Sequence, residues 1–545
     1  MIDFKKFFPY PTIRDQQEKT LQEIASHWYD KKYFILELGT GIGKSAIAKC
    51  IASFSSSAYI VTETKQLMDQ YIKDFSGSRD LVDIKGRNNY ECVKYPNFDC
   101  SNAPCMSMTS KSAARMNCMS SCKYIQQRQA AINAHTALTS YSFLFKIANS
   151  LKKTQGSDSR SWQRRQTIIF DEAHSLEDQI VTMAQFALSP EKLNERHALF
   201  DNCSPEERKD LLSKFSAAGF DANAAKINRI NSLIIQKLNE YESDIESFSD
   251  SLNDEVAEEN IKELVKKKHG LSDLKKKLDA FASTYKDDSS WIVQPDIEGD
   301  LVFTPLEIND LFKLYCDAWA DKFVFMSASL LDTEGYIKML GIERDKCLVI
   351  KKDSPFDPAK SPIYFMPCGK MTYSDIANSM PKVIQIVGKV LDSKKDQKGI
   401  IHTGTYKIAK EIYDSIQSPR FLMRSSDKVS NQNLLDVHSR SKNSVLLSPS
   451  MTTGVDLKDD LSRWQIVIKM PFASLSDERI KAKSAKDFNW YVCNALRTML
   501  QACGRSTRSE DDSSVTYVLD SSFEKWIKQY RHWLPKSFVD RIKGF

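Results

Sequence analysis

Contiguous apolar runs alternate in the first part of the chain with segments whose apolar positions recur every three or four residues. YFILEL (33–38) is apolar almost throughout and stops at a glycine-rich turn; SAIAKCIASF (45–54) has helical spacing. AYIVTE (58–63) is a second strand candidate, KQLMDQYIKDF (65–75) an amphipathic helix, and QTIIFDEAH (166–174) a third buried-type strand. Strand–loop–helix alternation of this kind predicts a parallel α/β sheet.

Two stretches interrupt the alternation. From about Lys85 to Tyr124 the chain is rich in Cys, Ser, Asn and Met, with weak periodicity. From about Ser175 to Ile297 it carries long charged helical stretches, including 227–245 and 258–281. Apolar spacing there is helical without sustained heptads, which predicts an all-helical insert rather than a coiled coil. The α/β signature returns at KFVFMSAS (322–329), KGIIHTG (398–404), SVLLSPS (444–450) and RWQIVIKMPF (463–472). The expected organisation is a first lobe split into 1–84, 125–175 and 298–335, a Cys-rich insert at 85–124, a helical arch at 176–297, and a second α/β lobe at 336–545.

Composition changes this picture little. A chain of 545 residues has room for several domains at roughly 100–200 residues each. The net charge of +6 permits a local basic groove for nucleic acid without establishing one. No apolar run approaches the ~20 residues that span a bilayer, and the polar, proline-broken start is unlike a signal peptide, so no membrane association and an intracellular location are expected.

The strongest chemical signal is LGTGIGKS (38–45), which follows an apolar strand and opens a helix. That context defines a phosphate-binding loop: Gly39, Thr40, Gly41 and Gly43 turn backbone amides toward phosphates, Lys44 reaches the β- and γ-phosphates of ATP, and Ser45 ligates Mg²⁺. The strict pattern is broken at Leu38, where a glycine is usual. FDEAH (170–174) supplies the second half: Asp171 at the strand end for Mg²⁺, Glu172 to orient and deprotonate water, and His174 as a coupler to the nucleic-acid site. In QACGRSTR (501–508), Arg505 and Arg508 share a helix face and suit arginine fingers, and Gln501 points the same way one turn earlier.

Five of the 12 cysteines lie between Cys92 and Cys122. Clustered cysteines in an intracellular chain mark metal sites, and the spacing alone leaves a [4Fe–4S] cluster and a Cys₄ zinc site equally open.

With these elements in order, the sequence resembles superfamily 2 helicases of the iron–sulfur XPD/DinG group, over almost its whole length. IRDQQ (13–17) is similar to the group's adenine-contacting element, which implies Arg14 and Gln17 there. TETKQLMDQ (62–70) resembles motif Ia, KGRNNYEC (85–92) the lead-in to the first cluster cysteine, DEAHSLED (171–178) the Walker B segment, MSASL (326–330) motif III, TGVDL (453–457) motif V, and QACGRSTR motif VI. Motif V would place Gly454 and Asp456 near the nucleotide. The resemblance implies two RecA-like lobes that close on one ATP and release on hydrolysis. It further implies a structural [4Fe–4S] cluster held by Cys92, Cys105, Cys118 and Cys122, with Cys100 as the spare or as a replacement for Cys105 or Cys118. Single-stranded and forked DNA are the implied partners, with 5′–3′ translocation, duplex unwinding by a monomer and a role in DNA repair among the open pathways. Lys65, Lys85, Arg87 and Tyr90 are candidates for the DNA path, and Ser140 stands where relatives carry Asn. The competing expectation is a translocase or remodeller that uses the same motifs without separating strands. A DNA-binding subunit with a lapsed ATP site is disfavoured by the intact motifs, and an N-terminal nuclease by the dozen or so residues before the IRDQQ element. The expected location is the cytoplasm or nucleoid, or the host cytoplasm for a viral chain.

Overall fold

The computed structural model describes residues 2–78, 80–103, 105, 118, 120–152, 162–249, 255–423, 428–449, 461–504 and 512–544. Of the expected site residues, Gly454, Asp456, Arg505 and Arg508 lie outside the described residues.

In chain order the strands are β1 (Tyr33–Leu38), β2 (Ala58–Thr62), β3 (Leu81–Asp83), β4 (Thr136–Ser140), β5 (Arg165–Asp171), β6 (Phe186–Leu188), β7 (Trp291–Pro295), β8 (Leu301–Pro305), β9 (Ala320–Ser327) and β10 (Cys347–Lys352). They continue with β11 (Ile363–Gly369), β12 (Gly399–His402), β13 (Phe421–Met423), β14 (Val445–Ser448), β15 (Trp464–Val467), β16 (Val515–Asp520) and β17 (Ile542–Lys543). The first lobe is a seven-stranded sheet in the order β10-β1-β9-β5-β2-β4-β3, with every pair parallel. The second lobe is another all-parallel seven-stranded sheet, β13-β14-β12-β15-β16-β11-β17. Helices cover both faces, so central strands such as β1 and β2 are buried along their full length. This is why they read as unbroken apolar runs.

The lobe boundary differs from the expectation of 335/336. β10 pairs with β1 along its length, Tyr33 opposite Cys347 through Leu38 opposite Lys352, so the first lobe extends to Lys352. The sequence CLVIKK is short and ends on two lysines, and its edge position explains the weak signal: it is covered by one neighbour only.

The arch is helical in its bulk. Two 30-residue helices, Phe220–Ser249 and Glu255–Thr284, carry the 227–245 and 258–281 patterns and pack through buried Ile230, Ile234, Tyr241, Val265, Leu271 and Leu278. Its base is not helical. A three-stranded antiparallel sheet, β6-β8-β7, closes it, with Phe186 stacked on Phe303 at 4.3 Å between ring centroids. The description all-helical therefore fits the span but not the base, where strands of three to five residues are too short to show a period of two. Among the described residues, no helix is long and apolar enough to cross a membrane.

Candidate active site

The order β1-β9-β5 brings the carboxyl ends of three motif-bearing strands side by side, which is where parallel sheets bind ligands. β1 runs into the glycine loop, β5 ends at Asp171, and β9 ends at Ser327 of MSASL.

The loop needs its glycines for stated reasons. Gly41 and Gly43 have φ of +91°, a left-handed region that side chains rarely occupy, and Gly43 caps the helix Lys44–Phe54. At Gly39 a Cβ would stand 2.4 Å from the backbone nitrogen of Ser354. Arg14 and Gln17 both meet this loop: an Arg14 guanidinium N–H donates to the Gly41 carbonyl at 2.7 Å, the Arg14 amide donates to Gln17 Oε1 at 3.0 Å, and Gln17 packs against Gly43. Lys44 Nζ lies 3.6 Å from Glu172 Oε1, so the ammonium and the candidate base face the same space.

Asp171 is held from behind by two aromatic hydroxyls that sequence reasoning missed. Tyr71 donates to Asp171 Oδ2 at 2.9 Å, and Tyr141 donates to the Asp171 carbonyl at 3.0 Å. Tyr71 also interacts with Ser45, which joins the two expected Mg²⁺ ligands through one phenol. Nothing marked Tyr71 in advance, because its spacing with Met68 is that of an ordinary buried helix face. Burial and then the neighbouring Glu172 charge push the Asp171 carboxyl up to about 6, against the opposing pull of Lys44 and Tyr71. A divalent cation supplies the charge that would reverse this rise. Glu172 adopts φ of +51°, uncommon for a residue with a side chain, so the turn after β5 carries backbone strain where the chemistry is expected.

His174 connects the lobes. Its Nδ1 lies 2.9 Å from Ser327 Oγ and 3.3 Å from Glu172 Oε2, and its Nε2 lies 2.8 Å from Gln501 Nε2 of the second lobe. Arg497, one turn before Gln501, donates to the carbonyls of Ser329 and Leu330 at 3.0 and 3.3 Å. Three segments expected to communicate, around His174, Ser327 and Gln501, therefore touch.

The cysteine insert is anchored to the first lobe by the residues expected on the DNA path. Lys65 donates to Asn89 at 2.6 Å, Lys85 pairs with Asp69 at 2.5 Å, and Arg87 lies 4.4 Å from the ring of Tyr124, which is buried in the lobe's core; within the insert, the Lys85 amide donates to the Tyr90 hydroxyl at 3.2 Å. Ser140 accepts from the Phe143 amide at 3.4 Å, beside the start of the following helix. Burial first, and then neighbouring cysteines, raise the thiols of Cys105 (beside Cys118, Cys92 and Cys122) and Cys118 (beside Cys92 and Cys122). Cys100 lies 3.8 Å from Cys122, sulfur to sulfur, and Cys122 stands at the N-cap of the helix Lys123–Asn133. Cys92 and Cys105 belong to a small apolar cluster with Phe98 and Ala103, whereas Cys100 and Cys122 belong to the core of the first lobe. Among the described residues, no three such side chains are arranged to close on a single ion.

Residues 11–203 match the family model described as Type III restriction enzyme, res subunit, and residues 387–541 the model described as Helicase C-terminal domain. The ATP-dependent DNA helicase YoaA of Escherichia coli (strain K12) is 23% identical over 235 residues, covering 41% of this chain and 36% of that protein. The match thus spans about a third of its length. Among solved structures, an XPD helicase superposes with a TM-score of 0.63 at 17% identity over 96% of this chain and 98% of the other. Xpd4 of S. tokodaii gives 0.61 at 14% identity over 98% and 100%. At these identities the likeness to the solved structures is one of fold. The chain shares the fold of these XPD structures.

Proposed function

We propose that the chain is an ATP-dependent DNA helicase that moves 5′ to 3′ on single-stranded DNA and unwinds duplex ahead of it. The observation that carries this reading is the cross-lobe contact at His174, which links the candidate hydrolytic residues of one lobe to Gln501 of the other. ATP would sit on the loop amides with Lys44 on its terminal phosphates, and Mg²⁺, held by Ser45 and Asp171, would neutralise charge there. Glu172 orients and deprotonates the attacking water. Loss of the γ-phosphate removes the group that Lys44 and the second-lobe residues Gln501, Arg505 and Arg508 share, so the lobes loosen and each shifts its grip on the strand. A [4Fe–4S] cluster on Cys92, Cys105, Cys118 and Cys122 would cross-link the insert. The chain's own part is to present four thiols and tie the insert to the first lobe through Lys65, Lys85 and Arg87.

The test is unwinding of a duplex bearing either a 5′ or a 3′ single-stranded tail, with ATP and Mg²⁺, beside Lys44→Ala. Unwinding from the 5′ tail only, lost in the variant, is the expected result. DNA-stimulated hydrolysis with no unwinding from either tail, in protein that retains its iron, would instead make the chain a translocase.

A further inference from the structure

Glu177 follows the DEAH segment by three residues and plays no part in the chemistry above, yet it sits in the most heavily charged buried contact between the lobes. It lies on the helix Leu176–Ala184 of the first lobe and is only 5% exposed. Arg479 (8% exposed) donates to its Oε1 at 2.5 Å, Lys483 (4% exposed) donates to the same oxygen, and the Trp490 indole N–H donates to Oε2 at 2.7 Å. Both cations also lie over the Trp490 ring, at 5.6 and 4.7 Å. A second Arg479 N–H donates to the Pro305 carbonyl at the base of the arch, at 2.8 Å.

Arg479 and Lys483 belong to the helix Glu478–Lys486, and Trp490 to the helix Phe488–Gly504. Gln501 is on that same helix, about three turns beyond Trp490 and therefore on the same face. One end of the helix is fixed by Glu177 and the other touches His174. A carboxylate with two buried cations is costly to open, because separation would leave uncompensated charges in a low dielectric. The contact therefore resists opening and lets the lobes pivot about it.

We propose that Glu177 is a positioning residue: through Arg479, Lys483 and Trp490 it fixes the helix that brings Gln501 to the ATP site. The inference rests on the helicase reading for its catalytic consequence, but not for its structural one.

The experiment compares the full chain with Glu177→Gln by two readouts, amide hydrogen exchange across 478–504 and steady-state ATP hydrolysis with single-stranded DNA. The expected result is faster exchange in that segment with the first sheet unchanged, KM for ATP within about twofold, and kcat lowered about tenfold or more. Trp490→Phe, which removes one hydrogen bond and keeps a ring, should shift both readouts the same way by less, and it serves if Glu177→Gln does not fold. Wild-type exchange at 478–504 overturns the proposal, whatever the rate. So does a loss confined to KM, or a wild-type kcat in a loosened variant. Faster exchange in a chain whose wild type hydrolyses no ATP supports the positioning role and sinks the helicase reading instead.

Discussion

The phosphate pocket and the cysteine insert sit on the same lobe and are built in opposite ways. The pocket stands on three adjacent buried parallel strands, and its side chains are fixed by partners from elsewhere in the fold: Tyr71 and Tyr141 on Asp171, Ser327 and Gln501 on His174. Among the described residues, the insert has one isolated bridge, Glu91 to Asp99, and a small apolar cluster around Cys92, Phe98 and Ala103. Its organisation falls to its thiols and to a few ties to the lobe. Regular structure can preform a site before any ligand arrives, whereas a short segment with so little core depends on what its donors bind.

If so, the two regions fail independently. Glu172→Gln should lower ATP turnover about a thousandfold while ATP binding and iron content stay at wild-type levels, as read by phosphate release, nucleotide titration and metal analysis. Cys122→Ser should do the reverse: iron is lost and unwinding with it, while hydrolysis on single-stranded DNA stays within about fivefold. Loss of both activities together in either variant would mean that the regions are one unit.

The pocket also carries a pH signature of its own. The Asp171 carboxyl is raised to about 6 from an ordinary 3.8. The protonated form is thus favoured by folding, and this contribution is fully present below about pH 4 and lost as pH rises through about 6. Metal-free protein should therefore lose on the order of 2–3 kcal/mol between pH 4 and 7 from this group, and Asp171→Asn should flatten that slope in denaturant titrations. Glu177 works in the opposite sense. Burial opposes its charge, but Lys483 and Arg479 hold its carboxyl at about 2, so its contribution is present above about pH 4.5 and lost on acidification toward 2. Tyr71→Phe leaves a buried Asp171 oxygen without its donor and should cost about 1–3 kcal/mol by thermal unfolding. Lys65→Ala, which cuts one exposed tie between lobe and insert, should change stability by less than about 1 kcal/mol.

Strands β1, β2, β5, β9, β12, β14 and β15 could be read from the sequence because buried parallel strands are apolar throughout, and the loop at 39–45 because its glycines and lysine form one motif. What could not be read is whatever depends on a distant partner. β10 ends on two lysines because it is an edge, and the sheet at the arch base is assembled from 186–188, 291–295 and 301–305, segments too short to show a period and joined across two long helices. Tyr71 and Glu177 occupy unremarkable helical positions, and their significance lies in side chains 100 and more than 300 residues away. His174 and Gln501 were expected to matter, but only the fold shows them in contact.

The most direct measurement is phosphate release from ATP by the purified chain, with and without single-stranded DNA, beside Lys44→Ala. A motor built on this pocket should hydrolyse ATP faster when DNA is added, and the variant should fall to background in both conditions. Equal rates in wild type and Lys44→Ala, or no hydrolysis by the wild type with DNA present, would contradict the assignment of the pocket as an ATP-driven motor.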